Sequence, residues 1–126
     1  DGYWSNVWNN DAKGWCACYW GGRPAETMMF SAAYVAESKW NDTMWKTTDS
    51  AVKFNQLVKD ARKELDESKK RDILYECQRL IYDDGGLLCP LFNSYVSANS
   101  KKIAHGKIAA NWDSDGAKCV ERWWFA

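Results

Sequence analysis

Histidine is almost missing from this chain: His105 is the only one in 126 residues. A nucleophilic cysteine needs a base and an orienting group, so one histidine, placed beside Gly106, leaves no visible catalytic constellation. No catalytic residue is assigned, and the chain reads as a non-enzyme without a cofactor. A charge excess of either sign is missing too, since seventeen basic and seventeen acidic side chains cancel. No global field draws in nucleic acid or anionic lipid. No run of apolar residues approaches the roughly 18 to 20 that a membrane-spanning helix needs. The spacings of metal sites are lacking as well. A single C-x-C with no second pair falls short of a zinc motif. DSDG at 113–116 has neither the ligand spacing nor the distal glutamate of a calcium loop. No metal is assigned.

Tryptophan is what the chain has in excess, with nine copies. Such a number suits either an aromatic-lined groove or a core built on few large side chains. Five cysteines, Cys16, Cys18, Cys77, Cys89 and Cys119, suggest an oxidising compartment with one or two disulfides. The expected bond joins Cys119 to Cys16, Cys18 or Cys89, and the odd count leaves at least one thiol over.

The chain is organised around residues 15–26, WCACYWGGRPAE. Alternation of Trp15, Ala17 and Tyr19 with Cys16, Cys18 and Trp20 predicts a β-strand, with Cys16 and Cys18 on opposite faces. Gly21-Gly22 ends it in a turn, and Arg23 follows before Pro24 stiffens the exit. A cation on a fixed loop beside two rings can hold a carboxylate while the rings cover the apolar part of a ligand. Tyr19, Trp20, Gly22 and Arg23 are therefore candidate ligand contacts. The same rings also suit a core edge, and an arginine after a turn also suits solvent.

Before this stretch, residues 1–14 predict a short strand and a hairpin-like turn at 9–11. After it, TMMFSAAY predicts a helical turn. Residues 50–84 carry the strongest periodicity: Phe54, Leu57, Val58, Ala61 and Leu65, then Ile73, Leu74, Cys77, Leu80 and Ile81, predict two helices. Asp49 or Ser50 is the expected N-cap, Arg62–Asp66 and Lys63–Glu67 the exposed i,i+4 pairs, and Gly85 the left-handed C-cap. LLCPLF at 87–92 predicts a buried strand limited by Pro90. The tail alternates apolar stretches with turns and ends in Trp123, Trp124 and Phe125, which predicts a docked terminus.

YWGGRP followed by MMF, the helix pair ARKELDESKKRDILYECQRLIYDD and the terminal ERWWFA resemble the extracytoplasmic solute-binding proteins of ABC transporters, in the peptide and opine branch known as family 5. The resemblance covers essentially the whole chain and lies in the order of its parts. It implies an α/β fold: a C-terminal fragment of a two-lobed, type II periplasmic-binding-protein architecture, with two consecutive helices and several short strands. By it, residues 1–89 belong to the second lobe, 90–95 cross the hinge and 96–126 return to the first. Trp40, Asn93 and Tyr95 become ligand contacts, with Asn41 and Asp42 beside Trp40. The implied partners are a peptide or small solute and an inner-membrane ABC permease, and the implied location is periplasmic or extracellular. Dipeptide-type members tend to carry an acidic group where this chain has Arg23, so a carboxylate-bearing ligand is expected. A second class, an aromatic-rich carbohydrate-binding module, predicts exposed, coplanar rings.

Overall fold

The structure, a computed structural model, describes residues 2–10, 12 and 14–126. The chain forms two compact units: one holds the residues up to Trp20 together with Ala25–Leu88, and the other holds Gly21–Pro24 and Cys89–Ala126. Helix takes up 45% of the chain and the sheet has two strands, so a mixed helix/strand class holds in its coarse form.

The first unit is built on an antiparallel helix pair. Helix α1 is one turn, Tyr3–Asn6, and α2 spans Glu26–Ala33. Helix α3 covers Asp49–Lys63 and α4 covers Glu67–Asp84, joined through Glu64–Asp66. The expected periodicity lands on one face: Phe54 and Val58 of α3 share a buried cluster with Cys77, Leu80 and Ile81 of α4, and Ala61 of α3 is buried as well. Phe30 from α2 and Trp45 from the preceding loop close the core, their rings 5.6 and 5.1 Å from that of Phe54. Burial pushes the Cys77 thiol up to about 11, with Glu76 adding to the effect.

The caps differ from expectation. Thr48, not Asp49 or Ser50, caps α3, its Oγ1 accepting from Ala51 N at 3.2 Å. Asp66 caps α4 by accepting from the amides of Ser68 and Lys69 at 2.9 and 3.0 Å. Because α3 stops at Lys63, the Arg62–Asp66 and Lys63–Glu67 pairs do not form. Arg62 turns instead to the Ser31 hydroxyl, and Leu65 falls in the joint, 92% exposed. At the far end Gly85 remains right-handed, with φ −72°, and Gly86, with φ +68°, takes the left-handed turn.

Buried polar groups in this unit are all answered. Asn41, fully buried, donates through Nδ2 to the carbonyls of Tyr34, Val35 and Trp45 and accepts from Thr43 through Oδ1. Asp84 Oδ2 accepts from Trp45 Nε1 and Thr48 Oγ1, each at 2.9 Å, and from the Ser50 hydroxyl. These donors hold its carboxyl below the usual range, Ser50 first. The unfavourable place of Asp84 at a helix C-terminus is thus offset by three neutral donors and needs no outside cation. Its neighbour Asp83 pairs with Arg79 at 2.7 Å.

Three expected strands are absent among the described residues. Residues 2–10 give α1 and turns; the expected turn at 9–11 includes Asp11, which lies outside the described residues. Residues 15–20 have no regular structure, because a strand needs a neighbour and the two strands among the described residues pair with each other. Residues 87–92 are likewise without regular structure and exposed rather than a buried strand, with Leu88 at 96% and Phe92 at 93%.

The second unit holds that sheet: β1, Ile103–His105, runs antiparallel to β2, Trp123–Phe125, with Ala104 opposite Trp124. The terminus is thus docked through its backbone, while the Phe125 side chain stays 85% exposed. Between the strands lie a turn, α5 at Asp113–Ala117, and one helical turn, α6 at Cys119–Arg122. Ser114, Asp115, Gly116 and Ala117 all have positive φ, between 49° and 71°. Left-handed backbone costs residues with a Cβ roughly 1–2 kcal/mol each, and buried Asp115 holds the turn. Its carboxylate accepts from Ala109 N at 2.6 Å and Trp123 Nε1 at 2.9 Å, and pairs with Arg122 at 3.0 Å.

All five cysteines are free thiols, so the expected disulfide from Cys119 to Cys16, Cys18 or Cys89 is not formed. Cys77 is spent on the helix core, and Cys89 Sγ lies 3.6 Å from the Leu91 carbonyl oxygen. The cysteine count therefore carries no argument for an oxidising compartment.

Candidate functional site

The seven expected ligand contacts divide between the units. Gly22, Arg23, Asn93 and Tyr95 belong to the second unit; Tyr19, Trp20 and Trp40 belong to the first.

In the second unit the Gly-Gly turn folds onto Tyr95. A Cβ on Gly22 would stand 2.6 Å from the Tyr95 hydroxyl oxygen, so a side chain there would displace the end of the Tyr95 ring. Arg23 donates through Nη1 to the carbonyls of Gly21 and Gly22 at 2.7 and 3.3 Å. Its guanidinium lies 5.6 Å from the centre of the Trp112 ring, within cation–π range. Gly22, Arg23 and Tyr95 thus come together, and Trp112 joins them. Nothing in the spacing of Trp112 marked it, because it stands 89 positions from Arg23. Asn93 lies in the exposed run.

In the first unit the expected residues are drawn into a different arrangement, centred on Asp42. Asp42 Oδ2 accepts from Trp8 Nε1 at 2.7 Å and Trp20 Nε1 at 3.2 Å, and Cys18 Sγ lies 3.3 Å from the same oxygen. Tyr3 donates to the Ala17 carbonyl, which fixes that segment against α1. Because residues 15–20 form no strand, Cys16 and Cys18 do not point to opposite faces. Their sulfurs and a carboxylate oxygen of Asp42 all lie within 4.8 Å of one another, the one such group of potential metal ligands among the described residues. Desolvation, the Asp42 carboxylate and Cys16 push the Cys18 thiol up to about 12. The Tyr3 hydroxyl is raised by desolvation and by Cys16, Cys18 and Asp42.

The rings around this cluster meet edge to face. Trp4 stands at 70° to Trp8 and 85° to Tyr19, and Trp8 at 75° to Trp40. Trp40 also carries Lys39 Nζ 5.8 Å from its ring centre. Exposed rings are present, with Trp15 at 82% and Tyr19 at 78%, but these pairs are not coplanar. Two shallow depressions, of 460 Å³ beside Tyr82–Leu88 and 410 Å³ between Glu26 and Gln78, include none of the expected contacts.

Of the residues at the Asp42 hub, Trp20 was marked by its neighbouring aromatics and glycine turn, and Asp42 through the family resemblance. Trp8 was not, since an indole seeking a carboxylate 34 positions away leaves no local pattern. No protein-family model, curated protein or solved structure matches the chain.

Proposed function

We propose that the chain is part of the solute-binding receptor of an ABC importer, lying outside the cytoplasm in the periplasm or at the cell surface. It captures a peptide or small solute that bears a carboxylate and presents it to an inner-membrane permease. The finer architecture belongs to the same proposal: a two-lobed type II binding-protein fold of which this chain supplies the C-terminal part. The location rests on the sequence resemblance.

The observation that carries the reading is the loop Gly21–Pro24. Its guanidinium is held by two carbonyls of its own turn and by an indole face, and Gly22 of the same turn lies against the Tyr95 hydroxyl. A guanidinium so ordered loses little rotamer freedom when a carboxylate arrives, and its planar fork suits bidentate pairing. The exposed apolar run of Leu88, Leu91, Phe92 and Val96 adds support, because such residues suit contact with a further part of a two-lobed chain. Near-perpendicular rings weigh against the alternative, a sugar-stacking module, which needs flat platforms.

Native mass spectrometry of the protein purified without refolding tests this. A one-to-one adduct that is lost on denaturation and weakened at least about tenfold by Arg23→Ala is expected, since a charge-assisted pair is worth about 1.5–3 kcal/mol. An adduct retained unchanged in Arg23→Ala removes the carboxylate assignment; sugar binding without any such adduct turns the reading to the module.

A further inference from the structure

We propose that Cys16, Cys18 and Asp42 form a binding site for a thiophilic divalent cation of the zinc class, with a fourth coordination position left to solvent. This proposal is independent of the receptor reading, and its three ligands all belong to the first unit. Three donor atoms from two segments, 24 residues apart at the closest, lie within 4.8 Å of one another. Ligand atoms about a tetrahedral zinc stand roughly 3.5–3.8 Å apart, given bonds of about 2.0–2.3 Å. Small side-chain movements therefore suffice. Two thiolates with a carboxylate suit zinc, whereas magnesium and calcium take oxygen alone.

The surroundings have the features of a metal shell. Indole N–H groups of Trp8 and Trp20 hold one oxygen of Asp42, as outer-shell donors orient a ligating carboxylate. Rings of Tyr3, Trp4, Trp8 and Tyr19 pack edge to face nearby and lower the local polarity. Cys18 is exposed, which gives the ion a way in. Binding releases the thiol protons and ties the strandless segment 15–20 to the turn at Asp42, so that the metal does there what a neighbouring strand would otherwise do. Sequence spacing argued against zinc because only one C-x-C is visible; the third ligand comes from a separate turn.

The full chain, reduced and stripped with chelator, is titrated with zinc against a chromophoric chelator and with cadmium while the thiolate charge-transfer band is followed. One equivalent is expected to bind. Asp42→Asn, which keeps a carbonyl oxygen for the indoles, and Cys16→Ser are each expected to weaken it about tenfold or more. Cys89→Ser and Cys119→Ser are expected to leave it unchanged, with helix content by circular dichroism equal in all four. No saturable binding, or binding that survives Asp42→Asn and Cys16→Ser in folded protein, overturns the proposal. So does a Cys16–Cys18 disulfide that persists under reductant and excludes the ion. Should Cys16→Ser unfold the chain, Asp42→Asn alone decides.

Discussion

Single carboxylates hold much of this protein together, and three of them share an indole donor while differing in the rest of their partners. Asp42 takes indoles and a thiol, Asp84 an indole and two hydroxyls, Asp115 an amide, an indole and a guanidinium. Glu76 relies on two cations, with Lys53 Nζ at 2.6 Å and Arg79 at 2.7 Å. Hydrogen bonds from Arg79, then Lys53, lower its carboxyl from the ordinary 4.5 to about 2. A depressed carboxylate stabilises the fold above its unfolded pKa and loses that contribution as pH falls toward its folded one. Glu76→Gln is therefore expected to be less stable than the parent at pH 7, by a small amount because solvent screens the site. The gap should close between about pH 4.5 and pH 2. Urea titrations across that range check it, and a gap that does not vary with pH would remove the role given to Glu76. None of these partnerships was legible beforehand: Trp45 and Asp84 are 39 positions apart, and no residue pattern announces such a meeting.

The two long helices were the most legible elements, because each face repeats apolar residues at helical spacing and all of them except Leu65 are buried or half-buried. Their ends were less so. Asp49, Ser50 and Thr48 are all good caps by type, and only backbone geometry selects Thr48; Gly85 and Gly86 differ in the same way. Thr48→Ala and Asp66→Ala are each expected to cost about 1 kcal/mol, whereas Thr48→Ser and Asp66→Asn stay near the parent because those side chains can still accept from the helix amides. Chemical denaturation of the four variants decides, and equal losses in the alanine and conservative variants would count against capping. Strands were misjudged for a physical reason. Alternation says that a segment can lie in a sheet, but a partner must supply the ladder, and the residues at 15–20 and 87–92 have none.

At the scale of the whole molecule, regular structure is concentrated in α3 and α4, while residues 86–100 run exposed without it. Hydrogen exchange should follow that division: slow amides at the α3/α4 core and fast ones throughout 86–100. Comparable protection in both would contradict the exposed run. The candidate site was legible in part. The glycine turn and its arginine stood out by residue type, and Tyr95 through the family resemblance; Trp112 and the Cys16/Cys18/Asp42 convergence depend on folding over long separations. Asp84, finally, has a topological consequence. Its carboxylate touches the side chain of Thr48, so the 37 residues from 48 to 84 begin and end at one point. The helix pair is a closed loop clasped where it begins and ends, so the chain enters and leaves it at a single gate.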